Sequence, residues 1–386
     1  MLKRLLHMLG TSPRSAGGTR PDGLPDTKRR FVGYLVLASK VMWVEPNGQY
    51  KSGLASTRLR AIIPARELAH AMPVAFVPLE MAAPGPAALD ALGSPAALVI
   101  TKLSTPDVVA REQELESLLD WLDDEGSHLR VCADLADDYA ALGREMGAAY
   151  PARYQERLGR RCELVVPCEA LAQRLAPWAQ HGVRVIEDPW ETPVAAAPRF
   201  APGETVRLAW FGNLGPMSFD ALSRGLTEAV HGARGRAVSL EIVTGEQRAS
   251  LVERLLAALR QAHPAVATAF TPWSVDRTQQ AIAAADIVLL PQDTTSEWAQ
   301  VKSHNRLVET LRGGRLAVAS PIASYVEMEH YAWVGHDLSV GVQWAVDHPT
   351  DAQARIAAGQ RYVESRFAPS VIGDKWAAAL GVTAGR

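Results

Sequence analysis

Short apolar runs alternate with longer stretches in which apolar positions recur at helical spacing, from residue 31 to near the C-terminus. The runs at 31–39, 74–77, 97–101, 129–133, 163–167 and 183–186 read as one series of strands. Their nearly continuous apolar content suits strands buried on both faces, as in parallel sheets. Helical patterns fall between them at 56–71, 106–124 and 169–178, with another ahead of 163. A second series starts at 206–213 and continues with strands at 239–244, 268–270, 287–290 and 316–319. Helices near 218–231 and 249–261 separate its first members.

Repeated strand–helix alternation implies parallel sheets, right-handed crossovers and helices on both faces. The proline-rich stretch 188–202 reads as a linker between the two series. The prediction is an α/β protein with two Rossmann-like, doubly wound parallel-sheet domains facing a cleft. Ligands in such sheets bind beyond the carboxyl ends of the strands. Gly53, Asp134, Gly212 and Lys302 all fall just after predicted strand ends.

Residues 1–30 stand apart as a flexible basic tail. Leu2, Leu5, Leu6 and Leu9 recur at helical spacing, with Lys3, Arg4 and His7 between them. That pattern fits either a short interfacial anchor, giving peripheral membrane contact through residues 1–10, or a solvated end. Residues 11–30 are rich in Gly, Pro, Ser and charge and read as a linker.

Composition narrows the classes. A chain of 386 residues with 48% hydrophobic content exceeds one ordinary core. With a formal net charge of −2, nothing suggests bulk nucleic-acid binding. The cysteines, Cys132, Cys162 and Cys168, are odd in number and lack metal-ligand spacing. A reducing, cytoplasmic setting follows as the simplest expectation. No apolar run reaches the length of a membrane span. The histidines show no HxxxH or HExxH spacing, and no P-loop, GxGxxG or hydrolase elbow occurs.

The stretch 285–320, ADIVLLPQDTTSEWAQVKSHNRLVETLRGGRLAVAS, carries the most chemistry. A buried strand runs into a polar loop, then a helix ending at Gly313-Gly314, then a second strand. The first helical turn is read as holding Lys302, His304, Asn305 and Arg306, with Ser303 as N-cap. Two cations four residues apart at a positive helix end repel by a few tenths of a kcal/mol, roughly. A bound phosphate reverses both terms. The alternative is an Arg306–Glu309 pair with Lys302 pointing into water.

These residues bring a resemblance into view. ADIVLLP followed in register by ETLRGGRLAVAS resembles the C-terminal domain of the GT-B glycosyltransferases, in particular their retaining nucleotide-sugar group. LAWFGNLG is similar to that domain's opening strand and glycine loop, RVIEDPWETP to the interdomain passage, and GQRYVESRFAPSVIGDKWAAAL to the closing helices. The resemblance covers nearly everything after Phe31 and is most specific at 286–320.

It implies an acceptor domain at 31–195, a nucleotide-sugar donor domain at 203–365 and a last helix, 366–386, that crosses back. It implies that Glu309 holds ribose hydroxyls. Gly212, Asn213 and Gly215 approach the diphosphate or sugar, and Trp273 and Ser274 meet the base. Lys302, Ser303, Asn305 and Arg306 face the phosphates. The chain departs from the family where Val301 takes the place of the first motif glutamate and KSHNR replaces a glycine-containing loop. Lys302 then binds phosphate as a point charge.

The implied activity is metal-independent glycosyl transfer, hexosyl or related, from a nucleotide sugar to a glycan, lipid-linked or protein acceptor. Cell-surface polysaccharide or glycoconjugate synthesis is the expected setting, in the cytoplasm or at the inner membrane face. No cofactor and no essential metal are expected. A retaining reaction lets the leaving phosphate take the acceptor proton; an inverting one needs a base. Asp134, Asp137 and Asp138 are the base candidates, with a helix N-cap as the alternative for Asp137 or Asp138. Gly53, Ser56, Arg58 and Arg60 form a second cluster, facing an anionic acceptor or donor phosphate, or else solvent. A nucleotide-sugar epimerase of the same fold and a catalytically degenerate nucleotide-binding module are the competing readings.

Overall fold

A computed structural model describes residues 31–36, 43–44, 50–78, 95–101, 116–117, 120, 129–145, 150–191, 195–215 and 219–382. The N-terminal tail with its expected membrane contact, the end of the first predicted strand and nearly all of the helix expected at 106–124 lie outside them. The chain divides into two compact units, Met1–Pro189 with Pro369–Arg386, and Trp190–Ala368. No helix among the described residues is long and apolar enough to cross a membrane.

The first unit holds β1 (Phe31–Val36), a small antiparallel pair β2 (Trp43–Val44) and β3 (Tyr50–Lys51), then β4 (Val74–Pro78), β5 (Pro95–Thr101), β6 (Arg130–Asp134), β7 (Glu163–Val166) and β8 (Val183–Val185). Six of these form a parallel sheet in the order β4-β1-β5-β6-β7-β8. The helix expected at 56–71 is composite: Ala55–Thr57, a π-helical stretch Arg58–Ile62, and Ile63–Leu68. Helix Pro369–Leu380 packs on its last part, where a β-carbon at Gly373 would meet Glu67 Cβ at 2.5 Å. Glycine there lets the two helices close.

The second unit holds β9 (Thr205–Phe211), β10 (Ala237–Thr244), β11 (Ala267–Pro272), β12 (Ile287–Leu290), β13 (Leu316–Ala319) and β14 (Trp333–Val334). Its parallel sheet runs β11-β10-β9-β12-β13-β14. Period-two alternation sends Leu208, Trp210, Ile287, Leu289 and Val318 to one apolar cluster. Ala209, Phe211, Val288, Leu290 and Ala319 go to a second cluster on the other face. Both faces are therefore covered by helices, which explains why these strands lack polar alternation. Arg207 grips Asp286 with Nη2 on Oδ1 at 2.6 Å and Nε on Oδ2 at 3.0 Å, tying the start of β12 to β9.

Within the stretch read as a linker, the described residues 190–191 and 195–202 dock along the second unit as a strap. Trp190 N donates to Phe367 O (3.0 Å), Arg199 N to Gly314 O (3.0 Å) and Phe200 N to Gln353 Oε1 (2.6 Å). Gln360 Nε2 donates to Ala196 O at 2.7 Å and to Arg312 O at 3.0 Å. Proline removes donors and favours extended backbone, which suits a strap satisfied by side chains of a neighbouring surface.

Candidate functional site

In the second sheet the chain moves outward from β9 through β10 to β11, then returns to the opposite side of β9 with β12. The carboxyl ends of β9 and β12 thus form the point where strand order reverses. That place opens a crevice in a doubly wound sheet. Gly212 follows β9 directly. Its N–H donates to Val243 O at 3.1 Å, and Leu214 N donates to Thr244 Oγ1 at 3.2 Å. Trp273 N donates to Thr244 O at 2.8 Å. Buried Thr244 therefore fixes the loops after both β9 and β11. Nothing in its sequence context marks this role beyond its place at a strand's end.

Gly212 has φ +155°, and a β-carbon on it would stand 3.3 Å from Arg306 Nη1 and 3.3 Å from Trp210 Cζ2. Glycine is needed because the guanidinium and the indole close on the backbone. Arg306 is half-buried and finds no hydrogen-bond or ion-pair partner for its side chain among the described residues. The Arg306–Glu309 pair does not form. Glu309 instead accepts from Glu191 N on Oε1 at 2.5 Å.

The helix behind this site starts later than expected, at Asn305, and ends at Arg312. Its N-cap position is His304, in right-handed helical conformation and without a side-chain capping bond. Ser303 is not the cap. The buried His304 ring turns away, with Nε2 2.9 Å from Glu327 Oε2 and its centroid 5.6 Å from that of Phe367. The first turn contains no acidic residue. Amides in a helix's first turn lack intrahelical acceptors and can donate to an anion.

Lys302 lies before the helix, so the i,i+4 helical spacing expected with Arg306 does not apply. Its Nζ sits 3.4 Å from the ring centroid of Trp298, in the short helix Glu297–Gln300, where the sequence predicts a loop. Ser296 caps that helix by accepting from Ala299 N at 3.1 Å. Val301, buried, closes it. Ser274 caps helix Val275–Ala284, accepting from Arg277 N at 3.1 Å. Trp273 packs against the apolar cluster on that face of the sheet. Asn213 is exposed and Gly215 half-buried in the loop after β9.

The carboxylates and cations of the first unit are arranged differently from expectation. Arg60 is fully buried and grips Asp134 through Nε (2.8 Å) and Nη2 (2.6 Å), with Asp188 3.3 Å from Nη1. Thr101 Oγ1 donates to Asp134 Oδ2 at 2.8 Å. Burial pushes the Asp134 carboxyl upward, and the Arg60 charge opposes it. Asp134 is thus part of a buried ion-pair network and no base for an acceptor in solvent. Asp138, also buried, caps helix Tyr139–Glu145 through Ala141 N at 3.0 Å, and Gln155 Nε2 lies 3.3 Å from the same oxygen. Capping, not catalysis, explains it.

Arg60 offers nothing to a ligand, and Arg58 Nη1 is spent on Ser52 O at 3.0 Å. Both arginines face inward because the π-helical stretch holding them buries every residue from Arg58 to Ile62. Gly53 is exposed with open space around it, and Ser56 is half-buried.

No protein-family model and no curated protein matches the sequence. Solved structures do. Anabaena Alr3699/HepE in complex with UDP-glucose is 14% identical, with a TM-score of 0.61 over 91% of this chain and 100% of that one. A UDP-forming trehalose-phosphate synthase from Burkholderia xenovorans is 11% identical, with a TM-score of 0.58 over 93% and 100%. S. aureus TarM, in complex with Fondaparinux, alpha-GlcNAc-glycerol and UDP, is 12% identical, with a TM-score of 0.54 over 74% of this chain; the chain spans 55% of TarM. Identities this low establish the fold: two Rossmann-like α/β domains of the kind found in GT-B glycosyltransferases.

Proposed function

We propose that this protein is a glycosyltransferase that takes its sugar from a nucleotide-sugar donor bound on the second unit. The observation that carries the reading is Arg306. Its guanidinium, without a partner among the described residues, stands over Gly212 at the strand-order reversal, beside the uncapped start of helix Asn305–Arg312. Structural neighbours in complex with UDP or UDP-glucose favour a uridine nucleotide as the first donor to test.

In this reading the donor diphosphate rests between Gly212, the first-turn amides and Arg306. Helix and guanidinium stabilise the charge that grows as the bond from the anomeric carbon to the phosphate oxygen breaks. The acceptor hydroxyl forms the new glycosidic bond, and its proton leaves with the diphosphate or with a base. Asp134 and Asp138 are committed elsewhere, which leaves half-buried Asp137 of the three base candidates; the departing phosphate is the proton acceptor we favour, which makes transfer retaining. The diphosphate is then held without an essential metal. The acceptor is a glycan, a lipid-linked sugar or a protein, in cell-surface polysaccharide or glycoconjugate synthesis at the cytoplasmic face of a membrane.

A panel of nucleotides and nucleotide sugars, read by melting temperature, identifies the donor. Transfer is then measured with and without acceptor. Donor conversion without any acceptor marks an epimerase. Binding with no turnover marks a binding module. No stabilisation by any nucleotide sinks the proposal.

A further inference from the structure

Glu309 sits on the site's own helix, one turn beyond Arg306, and its carboxylate reaches the strap. Oε1 accepts from Glu191 N at 2.5 Å. The next turn holds the strap again, because the Arg312 guanidinium lies 4.2 Å from the ring centroid of Trp190 and Nη1 bonds Glu364 Oε1 at 2.6 Å. Trp190 N is held in turn by Phe367 O at 3.0 Å. Arg306, Glu309 and Arg312 recur at three-residue spacing, so they form one row on the helix. The first reaches the glycine loop and the other two hold Trp190 and Glu191.

We infer that Glu309 is a positioning residue: it serves nucleotide binding by fastening the Glu191 backbone beside the site, through an acceptor oxygen. This rests on the nucleotide-sugar reading but assigns Glu309 a different task from direct ribose binding. The carboxylate is buried and takes a backbone amide at the short end of hydrogen-bond distances, the geometry of a charge-assisted contact. An acceptor oxygen is all the Glu191 amide requires, and a glutamine carbonyl also supplies one.

The test uses the full chain and the variants Glu309→Gln and Glu309→Ala, with UDP and 2′-deoxy-UDP as probes. Hydrogen exchange without nucleotide reads the strap directly. The expected result is near-native protection at Glu191 in Glu309→Gln and exchange about tenfold faster in Glu309→Ala. UDP affinity follows the same order, within about threefold of the parent for glutamine and about tenfold weaker for alanine. The preference for UDP over 2′-deoxy-UDP stays unchanged in both variants. Unchanged exchange at Glu191 in Glu309→Ala overturns the inference. So does a ribose preference that disappears in the variants. If the parent chain binds no UDP, the nucleotide reading falls, while the exchange comparison still decides whether Glu309 holds the strap.

Discussion

The guanidinium of Arg306 closes over Gly212, near enough that a β-carbon at 212 would lie 3.3 Å from Nη1. One residue follows the first strand of its sheet and the other opens the helix after the fourth, so only the sheet's return across β9 brings them together. Arg306→Ala is expected to weaken nucleotide binding by about tenfold to a hundredfold, the range for hydrogen bonds to a charged group. Arg306→Lys keeps the charge, loses the fork and falls between. Gly212→Ala combines strain at φ +155° with crowding and lowers affinity as well. Calorimetric titration with the donor found in the melting panel reads all three, and an unchanged Kd in Arg306→Ala removes Arg306 from the site.

In the first unit, Arg60→Ala strands the Asp134 carboxylate in the core. Breaking one side of a buried pair costs about 3–5 kcal/mol. Chemical denaturation followed by intrinsic fluorescence is expected to show the first unit losing its cooperative transition. The triple variant Arg60→Leu/Asp134→Leu/Asp188→Asn removes all three charges of the network and recovers much of the loss. Equal stability of Arg60→Ala and the parent chain shows the network to be dispensable.

Gly314 has φ +66°, and a β-carbon there would lie 2.5 Å from Ala197 O in the strap. Gly314→Ala therefore adds backbone strain and a clash with a segment that cannot shift without losing the Arg199–Gly314 bond. The expected cost is about 1–3 kcal/mol, with proteolytic cleavage appearing within 195–200. Mass spectrometry of limited digests locates the cut, and no change in digestion pattern counts against a docked strap.

Cys132 is buried, and desolvation pushes its thiol up to about 11. At pH 8 about one molecule in a thousand carries the reactive thiolate. Labelling by a thiol reagent is expected only on unfolding, with a rate that tracks denaturant. Rapid modification of Cys132 in the native chain contradicts the burial.

Much of the fold was legible along the chain. β12 reads IVLL because both faces of its sheet are covered, and each such apolar run among the described residues became a strand of a parallel sheet. The placement of some candidate residues was legible too. The glycines after β9 and the cations near 302–306 fall at strand ends and a helix start, positions where local chemistry departs from what helices favour. Less legible were the short helix Glu297–Gln300, which needed its serine cap and tertiary packing to form, and the strap. Proline content announces a segment with few donors but says nothing about which surface satisfies the remaining groups.

Side-chain direction was not readable. Arg58, Arg60 and Arg306 look alike in sequence, each a cation at or near a helix start. The first two point inward because the π-helical stretch turns them toward Ser52 and Asp134, and the third reaches across the sheet to Gly212. Spacing puts Lys302 and Arg306 on one helix face, but the helix begins between them, and the Trp298 ring lies against the lysine. Periodicity and composition alone determined the elements, their order and the two-domain α/β class, because burial on both faces leaves its mark residue by residue. Which charges are locked into ion pairs and which have no partner among the described residues was decided only by the tertiary structure, because the partners come from strands and helices far apart in the chain.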